Sequence, residues 1–119
     1  MGGLASFSLV GRLEGNAPPL SRRELLRRER NAILGLLERQ GASDVRVFGS
    51  VARGEDAGRS DIDLLITLPD GGSPGGELLT VLGLSEELTD LLGVRVDVAT
   101  ARTLRPSVRE RAFDEAVPL

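Results

Sequence analysis

The sequence predicts a small α/β domain. Three observations carry that expectation. A chain of 119 residues leaves room for one core. Helix-like and strand-like hydrophobic patterns alternate along it. The apolar content is aliphatic, chiefly Leu and Val, with three Phe and neither Trp nor Tyr. Residues 1–17 are rich in Gly, Ala and Ser and run into Pro18-Pro19. They are expected to form a flexible N-terminal arm, with one short strand around Phe7–Val10, ahead of a folded domain over 18–119.

Ser21-Arg22-Arg23-Glu24 is a capping box, in which the two outer side chains satisfy each other's orphan amides. It opens a helix of about five turns with Leu25, Leu26, Ile33, Leu36 and Leu37 on one side. Gly41 is placed to end that helix in the left-handed conformation. Val45 to Phe48 make a strand running into Gly49-Ser50, followed by a helical turn over 50–54 and a polar loop over 55–60. Asp61 to Leu68 is a second strand, so continuously apolar after its start that it is expected to be central and covered on both faces. Pro69 to Gly76, with four Gly and two Pro, is a connector. A leucine-rich helix is expected over Glu77–Leu92, with Gly93 as its stop. Val94, Val96 and Val98 then alternate with Arg95, Asp97 and Ala99, giving a strand with one buried face. A second capping box, Ser107 to Glu110, is expected to open a last short helix carrying Val108, Ala112, Phe113 and Ala116. This order implies three strands or slightly more, flanked by helices.

Composition removes several functional classes. The formal charge is −3, whereas direct nucleic-acid binding needs a basic face. The lack of Trp and Tyr leaves no base-stacking platform. All fifteen basic residues are Arg, which excludes a Walker-type lysine and Schiff-base chemistry. With neither Cys nor His, a metal site must use oxygen donors, which suits Mg²⁺. The opening residues have no basic leader, and no segment approaches the roughly 20 apolar residues of a membrane span. A soluble cytoplasmic protein is expected.

The most informative stretch runs from Gly49 to Leu64. Gly49-Ser50 follows a strand, and ten residues later Asp61-Ile62-Asp63 opens another. Alternation along a strand puts Asp61 and Asp63 on one face while Ile62 and Leu64 point into the core. Two carboxylates so close repel unless a cation lies between them. Asp97, alternating with buried valines, joins them if its strand neighbours theirs. Three such carboxylates can bridge two Mg²⁺ ions about 3.5–4 Å apart, the arrangement of phosphoryl and nucleotidyl transfer. Gly49 and Ser50 offer open amides and a hydroxyl to phosphate, although an ordinary strand-to-helix turn capped by Ser50 gives the same pattern. Arg53 is suited to phosphate or to pairing with a carboxylate, and Ser60 to setting Asp61. The arginines at 22, 23, 27, 28 and 30 interleave with Glu24 and Glu29 and read as a solvated face. The breadth of the leucine-rich helix leaves apolar surface for a homodimer or partner interface.

These residues resemble the minimal nucleotidyltransferases of the DNA polymerase β-like superfamily, whose motif is Gly-Ser, ten residues, then Asp-x-Asp. Gly49, Ser50, Asp61 and Asp63 match it, and Asp97 matches the third carboxylate of the family. The likeness covers about residues 21–119, and the longer strings Gly-Ser-x-Ala-Arg-Gly-Glu and Ser-Asp-Ile-Asp-Leu are far more specific than the core motif. The resemblance implies a nucleotidyltransferase fold with a small mixed sheet. It also implies Mg²⁺ held by Asp61, Asp63 and Asp97, ATP as co-substrate, and Gly49, Ser50, Arg53 and Ser60 about the phosphates. It further implies an antitoxin that moves AMP onto a tyrosine hydroxyl of a HEPN-family toxin. Larger members carry a domain for the acceptor, and none is apparent here, so the acceptor is expected on a partner protein. Two alternatives stand beside this reading. One is an antitoxin that blocks its toxin sterically; the other is an aminoglycoside-type enzyme acting on a small molecule.

Overall fold

A computed structural model describes residues 20–55, 60–69 and 72–119. The expected arm over 1–17 lies outside the described residues, as does most of the polar loop. The elements are α1 (Arg22–Arg28), α2 (Arg30–Arg39), β1 (Ser43–Phe48), α3 (Gly49–Ala52), β2 (Ile62–Thr67), α4 (Pro74–Leu92), β3 (Val96–Ala99), α5 (Pro106–Glu115) and β4 (Val117–Pro118). The strands form one mixed sheet in the order β3-β2-β1-β4. β1 runs antiparallel to β2 and β4, and β2 runs parallel to β3.

The capping box at Ser21 and Glu24 forms as expected. The single helix expected after it is interrupted at Glu29, with φ −99 and ψ 12. Hydrogen bonding continues through that point, from Glu29 N–H to the Leu25 carbonyl at 2.9 Å and from Ile33 N–H to the Glu29 carbonyl at 3.0 Å. α1 and α2 therefore act as one slightly irregular rod. Its arginines are not all a solvated face. Arg23 donates to the carbonyls of Val51 and Ala52, and Arg30 to that of Leu119, so they tie the rod to later parts of the chain.

Three other boundaries differ from expectation. α4 starts at Pro74, because Ser73 caps it and proline at the first position already has a helical φ. The Ser107–Glu110 capping box does not form. Pro106 starts α5 two residues earlier than that box implies, Arg105 is its N-cap without a side-chain bond, and Ser107 falls inside the helix. The third strand begins at Val96 rather than Val94. The short β4 was not anticipated.

The main core lies on one sheet face, where Ile62, Leu64, Ile66, Val96 and Val98 meet Ile33 and Leu37 of α2 and Leu84 and Leu88 of α4. On the opposite face Phe48 and Leu65 pack with Ala112 of α5. β2 is thus covered on both sides, as its apolar run predicts. Phe113 is not in this layer; it is exposed, and the Arg46 guanidinium lies 4.9 Å from its ring centre. Among the described residues β3 is an edge strand, but its outward amides are not open. Val96 N–H donates to Thr89 Oγ1 at 3.0 Å and Val98 N–H to Ser85 Oγ at 2.9 Å, both from α4. Among the described residues, no helix is long and apolar enough to cross a membrane.

Candidate active site

The site is assembled by strand register. Phe48 on β1 opposes Asp63 on β2, and Asp63 opposes Asp97 on β3. The residue after Phe48 is Gly49, with φ 76, a backbone state that favours glycine. A Cβ there would lie 2.5 Å from Asp63 Oδ2. Gly49 is therefore required twice, for its conformation and for the space the Asp63 carboxylate occupies. Alternation brings Asp61 and Asp97 to the same face, while Ile62, Val96 and Val98 are buried on the other.

Asp61 and Asp97 are about half exposed and both face Arg95, whose Nε is 3.7 Å from Asp61 Oδ2 and 3.5 Å from Asp97 Oδ1. Asp63 is more enclosed. Burial against the apolar layer raises its pKa to about 6, with the charges of Asp97 and Asp61 adding to the shift and those of Arg53 and Arg95 offsetting part of it. Among the described residues, no three acidic side chains form a ready-made metal cage. The donor chemistry nonetheless fits Mg²⁺. The donors are carboxylate oxygens without His or Cys, Asp63 and Asp97 are register partners, and the only cation spanning Asp61 and Asp97 among the described residues is the exposed, displaceable Arg95.

Two hollows flank this acidic row. A cavity of about 280 Å³ is lined by Gly49, Ser50, Arg53, Asp63, Arg111 and Glu115, among others. A wider hollow of about 700 Å³ is lined by Leu82, Ser85, Glu86, Asp90, Arg95 and Asp97, among others. A third cavity of about 390 Å³, between α1 and β4, contains none of the three aspartates.

This geometry brings together Gly49, Ser50, Asp61, Asp63 and Asp97, as the sequence predicts. Arg53 reaches the cavity but is engaged by carboxylates, with Nε 2.9 Å from Glu55 and Nη1 2.9 Å from Glu115. These acidic partners hold its guanidinium charged more firmly than usual. Ser60 lies beside Asp61, and its carbonyl accepts from Arg22 Nε at 2.8 Å. Arg95, Arg111 and Glu115 were not singled out from the sequence. Val108, Arg111, Ala112 and Glu115 lie on one face of α5 by their three- and four-residue spacing. That pattern is the available signal for the last two.

The sequence model of the nucleotidyltransferase domain matches residues 29–119. The chain belongs to that family. This nucleotidyltransferase domain is 38% identical over 85 residues to a Methanocaldococcus jannaschii protein named as a protein adenylyltransferase, covering 71% of this chain and 87% of the relative. It is 37% identical over 82 residues to the protein adenylyltransferase MntA of Thermococcus cleftensis, covering 69% of this chain and 79% of that protein. A solved structure described as a minimal nucleotidyltransferase superposes with a TM-score of 0.65 at 49% identity, covering 81% of this chain and 94% of that one. A chain from a toxin–antitoxin complex with AMP-PNP shares the fold, with a TM-score of 0.60 at 21% identity over 74% of this chain and 69% of that one.

Proposed function

We propose that this domain transfers AMP from ATP to a hydroxyl, a tyrosine's on a HEPN-family toxin, and so acts as an antitoxin. The observation that carries the reading is the register that seats Asp63 between Gly49 and Asp97. The two relatives named as protein adenylyltransferases support the transfer of AMP to a protein. The fold shared with a toxin–antitoxin complex holding AMP-PNP is consistent with the partner and the nucleotide.

In this reading the triphosphate lies in the smaller cavity, against the Gly49 and Ser50 backbone. The acceptor hydroxyl enters from the wider hollow and attacks the α-phosphorus. The bond to the β-phosphate breaks, pyrophosphate leaves and Asp97 receives the hydroxyl proton. Asp61, Asp63 and Asp97 would hold Mg²⁺, two ions in the two-metal form of this chemistry, which neutralises phosphate charge and makes the attacking oxygen more acidic. The protein's own contribution is position and a fixed field around the reacting groups.

The test is incubation of the purified chain with ATP, Mg²⁺ and its partner toxin, followed by intact-mass analysis of the partner. Addition of AMP that requires Asp61 and Asp63 is the expected result; its absence with a folded, metal-loaded protein rejects the reading. A sterically acting antitoxin is favoured by one observation, the exposed leucines at 78, 79 and 82 on α4. Full neutralisation of the toxin by the Asp61→Ala/Asp63→Ala protein would select that alternative.

A further inference from the structure

The face of α4 turned away from the core is not an ordinary solvated surface. Val81, Leu84, Leu88 and Leu92 supply the buried side of the helix. Leu78, Leu79 and Leu82 are nevertheless 48%, 72% and 54% exposed, so the core does not account for them. Four-residue steps from Leu78 lead to Leu82, Glu86 and Asp90, a stripe about 18 Å long. Leu82, Glu86 and Asp90 line the wider hollow together with Asp97, so the stripe runs directly into the candidate active site. Among the described residues, neither Glu86 nor Asp90 has a cation within ion-pair distance. Asp90 also sits in the last turn of α4, where no basic residue offsets it and the negative end of the helix disfavours a carboxylate. Bare leucines and unpaired acids therefore stand side by side, two local costs of the kind that mark a working surface.

We propose that this stripe is the docking surface for the acceptor protein, which meets it with an apolar side chain over the leucines and a lysine or arginine over Glu86 and Asp90. The inference rests on the reading above, in which a protein hydroxyl enters from the wider hollow, and it names the chemistry of the surface that carries that hydroxyl. Charge selects the occupant. Among the described residues lining the hollow, Glu86, Asp90 and Asp97 stand against Arg95, which is already drawn to Asp61 and Asp97. An incoming cation therefore finds carboxylates not yet neutralised, while the leucines gain by leaving water. A second copy of this chain fits less well. Two-fold pairing along the whole stripe would set carboxylates against carboxylates if parallel, or leucines against carboxylates if antiparallel.

The test is calorimetric binding of the partner toxin, with AMP addition followed by intact mass on the same proteins. Leu79→Gln/Leu82→Gln, which keeps good helix formers at exposed positions, should weaken binding about tenfold or more. Glu86→Gln/Asp90→Asn should weaken it about threefold and flatten its dependence on salt, because rim charges act through a screened encounter. In transfer kinetics both variants should raise KM for the toxin, while kcat and binding of a non-hydrolysable ATP analogue stay within about twofold of the parent. Val117→Ser, at a similarly exposed apolar residue on the opposite edge of the sheet, should alter nothing. Matched melting temperatures establish that each variant is folded. A toxin adenylylated by the parent and bound equally well by both variants overturns the docking surface and leaves the family reading intact. A toxin that binds through the stripe without receiving AMP overturns the transfer reading and keeps the surface. Loss of self-association in the leucine variant, with toxin binding unchanged, gives the stripe to a second copy and overturns the proposal. A parent that neither binds nor modifies the toxin overturns both.

Discussion

The two hollows beside the acidic row differ in both size and charge. The smaller one is bordered by the Gly49 turn and by α5, and it presents Arg53 and Arg111. The wider one is bordered by α4 and β3, where Glu86, Asp90 and Asp97 outnumber Arg95 and Leu82 adds an apolar rim. The smaller side is near charge balance, its two arginines set against Asp63 and Glu115, whereas the wider side carries an excess of carboxylates. Asp63 lines the smaller hollow and its register partner Asp97 the wider one, so one strand pairing sets the boundary between the two. On the proposed reading, that single register would also set the direction of transfer.

Removing the carboxylates should break the comparison most completely. Asp61→Ala with Asp63→Ala should reduce nucleotide transfer to background while circular dichroism stays native, because neither residue belongs to the core. Metal binding should have the next largest effect. Mg²⁺ at a hundred times its Kd should stabilise the fold by about 2.7 kcal/mol, read as a rise in melting temperature that the double variant loses. A melting temperature insensitive to millimolar Mg²⁺ and Mn²⁺, with or without ATP, would count against the acidic row as a metal site. Gly49→Ala should cost about 1–2 kcal/mol from its positive φ alone. It should also displace the Asp63 carboxylate, so chemical denaturation and transfer rate should fall together.

Titration gives a smaller effect with a definite sign. Asp63 has a folded pKa of about 6, above the ordinary aspartate value of 3.8. Between those values the folded state holds the proton more tightly, so stability of the metal-free protein should fall as pH rises from about 4 to 6 and then level off. Allowing for solvent screening, the change is of order 1 kcal/mol. Asp63→Asn should abolish it in denaturation curves measured across that range. The mildest change sharpens the wider hollow alone. Glu86→Arg should raise KM for a protein acceptor a few-fold while leaving binding of the ATP analogue unchanged, since rim charges act mainly on encounter.

Much of the candidate site was legible because its spacing is local. Ten residues between Gly49-Ser50 and Asp61 are enough to cross from one strand to the next, and alternation fixes which face the carboxylates share. Asp97 was legible only on the condition that its strand adjoins β2, which the sheet order satisfies. Arg111 and Glu115 were not legible, because their place in the cavity depends on how α5 packs across Phe48 and Leu65. β4 escaped for another reason. Two residues give no periodic signal, and the strand exists through its pairing of Val117 and Pro118 with β1. The start of α5 departs from the Ser107 capping pattern because a proline's fixed φ can begin a helix without any side-chain cap.

The hydroxyls of Ser85 and Thr89 have an effect beyond the helix that carries them. By occupying the outward amides of β3, they keep this rim of the sheet from recruiting a foreign strand. Any protein that approaches here must be recognised by its side chains rather than by its backbone. The same two groups that protect a small domain from zipping onto its neighbours therefore leave the choice of visitor to shape and charge.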